Sequence, residues 1–189
     1  MSSYVYGQPK YLPIDEKHPV NPHSIYHKSK LIAEQLCKNY SLDFGIDVVT
    51  LRPFLLYGPN AKPYMFISTV MEQIKNNGNV FLSGKDTTRD FLFITDFLEL
   101  IMIILNKFPN GYNLYNVGYG KSYRLEEIVE MLAKLSNKEI SINYDKQIRP
   151  GDVTKMVADI SKVSSTFQWK PRVSIQDGLK ITIEKDLCI

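Results

Sequence analysis

A short β-branched run directly after a long helix constrains the fold most. Residues 47–51 read D-V-V-T-L, a run too short for a helix, which predicts a buried parallel strand. Ser24 can cap the preceding helix and Gly45 can end it near residue 42. The helix has one apolar face, with residues spaced by three and four: Ile25, Ile32, Ala33, Leu36, Cys37 and Tyr40. A helix leading into a buried parallel strand indicates an α/β fold.

Further elements are predicted along the chain from apolar periodicity and turn residues. Residues 1–7 are predicted to end a strand, since Tyr4, Val5 and Tyr6 favour that conformation. Helices are predicted at 64–76, 95–107, 125–135, from 160, and at 175–189, and strands at 80–82, 112–117 and 141–144. The 95–107 helix is apolar nearly all round, which predicts that it is buried. Gly118-Tyr119-Gly120 is predicted to be a turn.

Composition excludes several classes of protein. The 189 residues suffice for one domain with a sizeable core, and the net charge of +3, on scattered basic residues, predicts no nucleic-acid partner. Two cysteines, at 37 and 188, predict neither a disulfide framework nor a metal site. The longest apolar run, Phe97–Leu105, is far shorter than the roughly 20 residues of a membrane helix. With no signal peptide, the expectation is a reduced, cytoplasmic protein with no membrane partner.

Tyr26 and Lys30 are four residues apart, so they are neighbours on one side of the predicted helix. A nearby ammonium favours the phenolate form of a tyrosine, which can then exchange a proton with a sugar hydroxyl. A bare Y-x-x-x-K match is a weak signal, because most such pairs are an exposed lysine beside a half-buried tyrosine. The surrounding motifs therefore decide how this pair is interpreted.

Four motifs accompany the pair. Residues 2–7 read S-S-Y-V-Y-G, and L-R-P at 51–53 leads to Y-G-P at 57–59. Residues 84–96 read G-K-D-T-T-R-D-F-L-F-I-T-D, and residues 149–152 read R-P-G-D. Open α/β sheets bind ligands beyond the carboxyl ends of their strands, which places 53–59 at a site. The guanidinium of Arg89 can pair bidentately with phosphate, although a surface ion pair with Asp86 or Asp90 is the alternative.

Together these motifs resemble the extended short-chain dehydrogenase/reductase family, in its NAD-dependent nucleotide-sugar epimerase/dehydratase branch, over nearly the whole chain. The resemblance implies an α/β fold with a partial Rossmann-like parallel sheet and a small C-terminal α/β substrate-binding subdomain. Residues 1–60 would be the remnant of a dinucleotide-binding domain that carries the Tyr/Lys helix. Residues 61–189 would be mainly the substrate-binding subdomain, interleaved with sheet strands.

The resemblance also implies the catalytic roles. Tyr26 would be the acid/base, Lys30 would hold the nicotinamide ribose, and Ser2 would orient the sugar hydroxyl. The cofactor, NAD or NADP, would be contacted by Tyr26, Lys30, Pro53, Phe54 and Leu55. Hydride would pass between a sugar carbon and the nicotinamide.

The implied substrate is a nucleoside-diphosphate sugar, whose diphosphate Arg89 and Arg149 would hold. Leu55 would lie near the sugar, at a position where the family usually has an asparagine, so the identity of the sugar stays open. The family resemblance also implies a homodimer that pairs through the Tyr26 helix.

The glycine-rich dinucleotide motif G-x-x-G-x-x-G does not occur in the sequence. Family members carry it in about half of a Rossmann sheet ahead of the Ser2 motif, so this chain is expected to be the C-terminal portion of a longer enzyme, with the 47–51 strand left at an exposed apolar edge. Two functions follow. One is a nucleotide-sugar epimerase, dehydratase or reductase that is incomplete as this chain. The other is a non-catalytic sugar-nucleotide-binding or partner-binding fragment of a split or truncated gene.

Overall fold

The computed structural model describes residues 2–144 and 153–186, in which helices and strands alternate. The helices are α1 Ile25–Phe44, α2 Phe66–Asn76, α3 Ile94–Asn106, α4 Leu125–Ser136, α5 Ser161–Phe167 and α6 Ile175–Asp186. The strands are β1 Val48–Pro53, β2 Leu55–Tyr57, β3 Asn79–Leu82, β4 Thr88–Phe93, β5 Tyr112–Val117, β6 Ser122–Arg124 and β7 Ser141–Tyr144. The predicted α/β class is confirmed. Within the described ranges no helix is both long and apolar enough to cross a membrane.

The strands form three small sheets. The pairs β1–β5 and β3–β7 are parallel, and β4 pairs with β2 in parallel and with β6 antiparallel. In the first pair Val48 lies opposite Tyr112 and Pro53 lies opposite Val117, so the chain returns to β1 after passing through the helices and strands in between. The carboxyl end of β1 therefore lies beside that of β5, at the edge where parallel sheets bind ligands.

The sequence analysis did not predict strands β2, β4 and β6. Thr88 in β4 pairs with Arg124 and Asp90 pairs with Ser122 in β6. Strands β2 and β6 have only three residues each, and β4 begins with T-R-D and ends with F-L-F, so none of them shows the alternation that marks a strand.

Helix α1 forms as predicted from its caps. The Ser24 hydroxyl accepts a hydrogen bond from the His27 N–H at 3.1 Å, and Gly45 ends the helix in the left-handed conformation at φ 65°. Its apolar side is largely uncovered, since Ile25 is 87%, Ile32 61% and Leu36 54% exposed. The helix instead buries two polar residues, Glu34 and Ser41.

The prediction that residues 1–7 end a strand is wrong for the described residues of this stretch, 2–7. Ser3–Tyr6 forms a turn of 3₁₀-helix, because the Ser2 hydroxyl accepts a hydrogen bond from the Tyr4 N–H at 3.3 Å. Gly7 ends this turn at φ 64°, and a Cβ there would lie 2.2 Å from the Asn21 carbonyl oxygen. Local capping by a serine side chain outweighs the strand preference of the tyrosines and valine.

Three clusters of buried side chains form the core. One lies between the β2–β4 strands and helices α2, α4 and α6, where Ile175, Leu179 and Ile183 are buried as the periodicity predicts. A second lies between β1–β5 and helices α3 and α5. The third lies beneath the 3₁₀ turn and contains Val5, Tyr6, Ile14, Phe54, Val153, Met156 and Ala158. It ties the start of the chain to the exit of β1 and to residues 153–158.

Helix α3 is less buried than its composition predicts. Leu100 and Ile104 lie in the core, but Leu98, Met102 and Leu105 on another side are more than half exposed. A helix that is apolar all round is fully buried only where neighbouring elements cover every side of it. Among the described residues, α3 is covered on the side that carries Leu100 and Ile104.

Candidate active site

The predicted Tyr26–Lys30 pair lies in the first two turns of α1. The Lys30 ammonium lies 4.9 Å from the centroid of the Tyr26 ring. The Tyr26 side chain is 61% exposed, so a ligand can reach the phenol from solvent. Helical spacing thus places a phenol and a cation side by side, as expected from residues four apart.

Ser2 lies at the start of the 3₁₀ turn, where its hydroxyl accepts from the Tyr4 N–H. A serine hydroxyl has one O–H donor as well as its lone pairs. Because the turn uses Ser2 as an acceptor, its O–H can still donate to an oxygen of a ligand.

A line of side-chain contacts joins this turn to the Tyr26 helix. The Tyr26 ring meets the His27 ring edge to face at 5.5 Å, and His27 stacks on Tyr4 with centroids 5.0 Å apart and planes at 8°. Burial, and then the proximity of His23, lower the pKa of His27, which favours the neutral imidazole. The stack fixes the turn that carries Ser2 against the helix that carries Tyr26 and Lys30.

Arg89 lies at the other end of this line of contacts. Its Nε donates to the Tyr4 hydroxyl at 3.2 Å, and its Nη1 donates to the carbonyls of Thr88 at 2.8 Å and Thr154 at 3.4 Å. Within the described residues it forms no ion pair with Asp86 or Asp90, so the alternative of a surface ion pair is not observed. The guanidinium faces a cleft of about 150 Å³ lined by Ser83, Gly84, Lys85, Asp86, Thr87, Val153 and Thr154.

The other residues predicted to contact cofactor or substrate are Pro53, Phe54, Leu55 and Arg149. Pro53 ends β1 and Leu55 begins β2, so both lie at the strand exit expected for a site. Phe54 between them is 6% exposed, with its ring in the core cluster beneath the 3₁₀ turn. Contacts of these three residues with a cofactor stay a prediction. Arg149 lies outside the described residues.

A buried ion pair anchors α1 to β1. The carboxylate of Glu34 accepts from Arg52 Nε at 2.9 Å and Nη2 at 2.5 Å, and both side chains are less than 5% exposed. The Arg52 guanidinium also lies 4.7 Å from the centroid of the Tyr6 ring. The Tyr6 hydroxyl donates to Asn116 Oδ1 at 2.7 Å, and burial raises the pKa of Tyr6 to about 12. This network joins α1, β1, β5 and the 3₁₀ turn under the site.

Asp90 holds together three segments around the Arg89 cleft. Its carboxylate accepts from the backbone N–H of Tyr119 at 2.6 Å, and from Gly120 and Ala158 at 3.0 Å each. A Cβ on Gly118 would lie 2.7 Å from this carboxylate, so the Gly118 position admits no side chain. Gly118-Tyr119-Gly120 is the predicted turn, and its function is to enclose a buried carboxylate.

Asp90 is expected to make the free energy of unfolding depend on pH between about 4 and 6. Burial raises its pKa from 3.8 to about 6, although the three N–H donors act in the opposite sense. In this range the folded protein keeps a proton that the unfolded chain has lost, so the stabilising contribution is full below pH 3.8 and is lost as the pH rises through 6. The expected change is roughly 2–3 kcal/mol, measured by urea unfolding across this range.

The matched control is Asp90→Asn, which cannot titrate. It is expected to lower stability at every pH and to flatten the pH dependence between about 4 and 6. An equal slope in the wild type and this variant would show that another group titrates there.

Sequence reasoning missed Tyr4, His27 and the buried role of Asp90. Tyr4 and His27 are 23 positions apart in the sequence, and only the fold brings their rings together. Among the described residues, no group of three or more His, Cys, Asp or Glu side chains could hold a metal ion.

The chain is similar in sequence to a known protein family and to curated proteins of that kind. A family model described as GDP-mannose 4,6 dehydratase matches residues 1–182. A putative UDP-glucose 4-epimerase of Methanocaldococcus jannaschii is 32% identical over 180 residues, which cover 93% of this chain and 57% of that protein. The chain thus spans little more than half the length of this curated relative.

The fold is also similar to those of solved structures. UDP-glucuronic acid 4-epimerase from Bacillus cereus, in complex with UDP-glucuronic acid and NAD, superposes with a TM-score of 0.90 at 32% identity. The match covers 99% of this chain and 60% of that one. RMD from Pseudomonas aeruginosa, complexed with NADPH, gives a TM-score of 0.91 at 27% identity, over 100% of this chain and 65% of that one.

Proposed function

We propose that this chain contributes the acid/base and substrate-holding groups of a nucleotide-sugar epimerase, dehydratase or reductase. The chain belongs to the extended short-chain dehydrogenase/reductase family of nucleotide-sugar epimerases and dehydratases. The observation that carries the proposal is the continuous line of contacts from Lys30 and Tyr26 through His27 and Tyr4 to Arg89. It connects a proton-exchanging phenol to a cation beside a polar cleft. The substrate class is a nucleoside-diphosphate sugar.

The proposed chemistry assigns one task to each side chain. Tyr26 takes a proton from a sugar hydroxyl while the carbon that bears it is oxidised, and returns the proton when the carbon is reduced. Ser2 donates a hydrogen bond to the same hydroxyl and holds it towards Tyr26. Arg89 holds the diphosphate through charge-assisted hydrogen bonds from its guanidinium.

The residues present fit NAD or NADP. Tyr26 is exposed and Lys30 lies over its ring, so the ammonium can donate to the hydroxyls of a ribose that approaches this face. Pro53 and Leu55 at the strand exit would line the same approach. When bound, the nicotinamide supplies the acceptor and the donor of hydride.

Calorimetric titration tests the proposal. The chain is expected to bind UDP-sugars or GDP-sugars more tightly than the matching nucleoside monophosphates, because the second phosphate engages Arg89. Incubation of the nucleotide sugar with NAD or NADP, followed by product analysis, then tests turnover. Equal affinity for the monophosphate and diphosphate forms would contradict the role of Arg89.

The second candidate is a non-catalytic sugar-nucleotide-binding protein. The observation that favours it is that the groups proposed to hold substrate are present, whereas the glycine-rich dinucleotide motif is absent from the 189 residues. Tight binding of nucleotide sugar, with no binding of NAD or NADP and no turnover, would support this second function.

A homodimer through α1 is also proposed. Ile32 and Leu36 are 61% and 54% exposed on one side of this helix, and a second copy would cover them. Leu36→Lys is expected to shift the protein towards monomer in sedimentation experiments. Leu135→Lys, at a residue 41% exposed on α4, is the control. A monomeric wild type at high protein concentration would contradict the dimer.

A further inference from the structure

Tyr4 lies between the two halves of the proposed site. One face of its ring is stacked on His27, with the planes 8° apart, and its hydroxyl accepts from Arg89 Nε at 3.2 Å. Its backbone N–H donates to the Ser2 hydroxyl. Tyr4 is half-buried, and its side chain contacts both the Tyr26 helix and the arginine of the cleft, while its backbone is bonded within the 3₁₀ turn.

The contacts of Arg89 determine its orientation. The Tyr4 hydroxyl accepts from Nε, and the Thr88 and Thr154 carbonyls accept from Nη1. The N–H groups of Nη2 take part in none of these three contacts. Nη2 therefore keeps its two N–H groups to donate to a ligand. Of these acceptors, only the Tyr4 hydroxyl belongs to a side chain, so substitution can remove it alone.

We propose that Tyr4 is a positioning residue for the diphosphate of the substrate and acts through Arg89. The inference rests on the proposed function, because it needs a diphosphate at Arg89. The hydroxyl holds the guanidinium in one orientation before the ligand arrives, so less side-chain freedom is lost when it binds. The stack with His27 in turn holds the Tyr4 ring in place. It thereby connects the arginine that holds the diphosphate to the helix that carries Tyr26.

Tyr4→Phe removes the acceptor and keeps the ring that stacks on His27. We expect this variant to bind UDP and GDP roughly two- to twelvefold more weakly than the wild type, the range for one long side chain that must be ordered on binding. Its melting temperature is expected to match that of the wild type, because the stack and the core cluster beneath the turn remain. Tyr11→Phe is the control, since the Tyr11 hydroxyl donates to Asp15 in an exposed pair away from the cleft.

A double-mutant cycle tests whether Tyr4 acts through Arg89. Calorimetry with UDP and with GDP as probes is carried out on the full chain, for the wild type, Tyr4→Phe, Arg89→Ala and the combined variant. The expected result is that Tyr4→Phe weakens binding in the wild type and has no effect once Arg89 is replaced. A merely structural role for Tyr4 would weaken binding in both backgrounds.

Three results would overturn the inference in distinguishable ways. If Tyr4→Phe binds as tightly as the wild type or more tightly, the hydroxyl does not position Arg89, while the proposed function stands. If the two substitutions are additive, Tyr4 acts independently of Arg89. If the wild type binds neither UDP nor GDP, the proposed function fails together with the inference.

Discussion

In the complete enzyme to which this chain is proposed to contribute, Tyr26→Phe is expected to lower turnover of the nucleotide sugar by about 10²- to 10⁴-fold, the range for a lost general acid/base. The substitution removes the one phenol oxygen and leaves the ring beneath the Lys30 ammonium, which lies 4.9 Å from its centroid. The affinity for nucleotide sugar is expected to be unchanged, because Arg89, and not Tyr26, is proposed to hold the diphosphate. The measurements are the turnover rate with saturating nucleotide sugar and NAD or NADP, and calorimetry of nucleotide-sugar binding.

The chain provides a matched control for this variant. Tyr64 is 74% exposed and has the Lys62 ammonium 5.9 Å from its ring, so it is a second tyrosine–lysine pair. Tyr64→Phe is expected to leave turnover unchanged. Full turnover in Tyr26→Phe would show that another group moves the proton.

Glu34→Ala is expected to lower the free energy of unfolding by about 3–5 kcal/mol, because it leaves the Arg52 guanidinium buried without a counter-ion. Both partners are buried, at 2% and 3% exposure, so solvent screens the pair little. Urea unfolding gives the value. The exposed pair between Lys180 and Glu184, 3.9 Å apart, is the control, and Glu184→Ala is expected to cost less than about 1 kcal/mol.

Replacing both members of the buried pair distinguishes the cost of leaving a charge unpaired from the cost of losing packing contacts. The combined variant Glu34→Leu and Arg52→Met is expected to be close to the wild type in stability, since apolar side chains of similar size often replace a buried ion pair without loss. If the combined variant is as unstable as Glu34→Ala, the cost arises from lost packing against Tyr6 and not from the unpaired charge.

Much of the fold is predictable because its signals are local. The caps at Ser24 and Gly45 bound α1 correctly, and the β-branched run at 47–51 marked β1. The Tyr26–Lys30 neighbourhood follows from helical spacing alone. By contrast, residues 4–6 adopt the turn capped by Ser2 and not the strand that they favour. Neither the three-residue strands β2 and β6 nor β4, which begins T-R-D and ends F-L-F, has an alternating pattern.

By itself the sequence determined the α/β alternation, the helix that carries Tyr26 and Lys30, and the family. Each of these depends on residues close together in the chain or on motifs with set spacing. Only the tertiary structure decided that Tyr4 stacks on His27 and bonds Arg89, and that Asp90 accepts from residues 29, 30 and 68 positions further along the chain. Contacts between distant segments depend on how the elements pack against each other, and the propensities of neighbouring residues do not predict that packing.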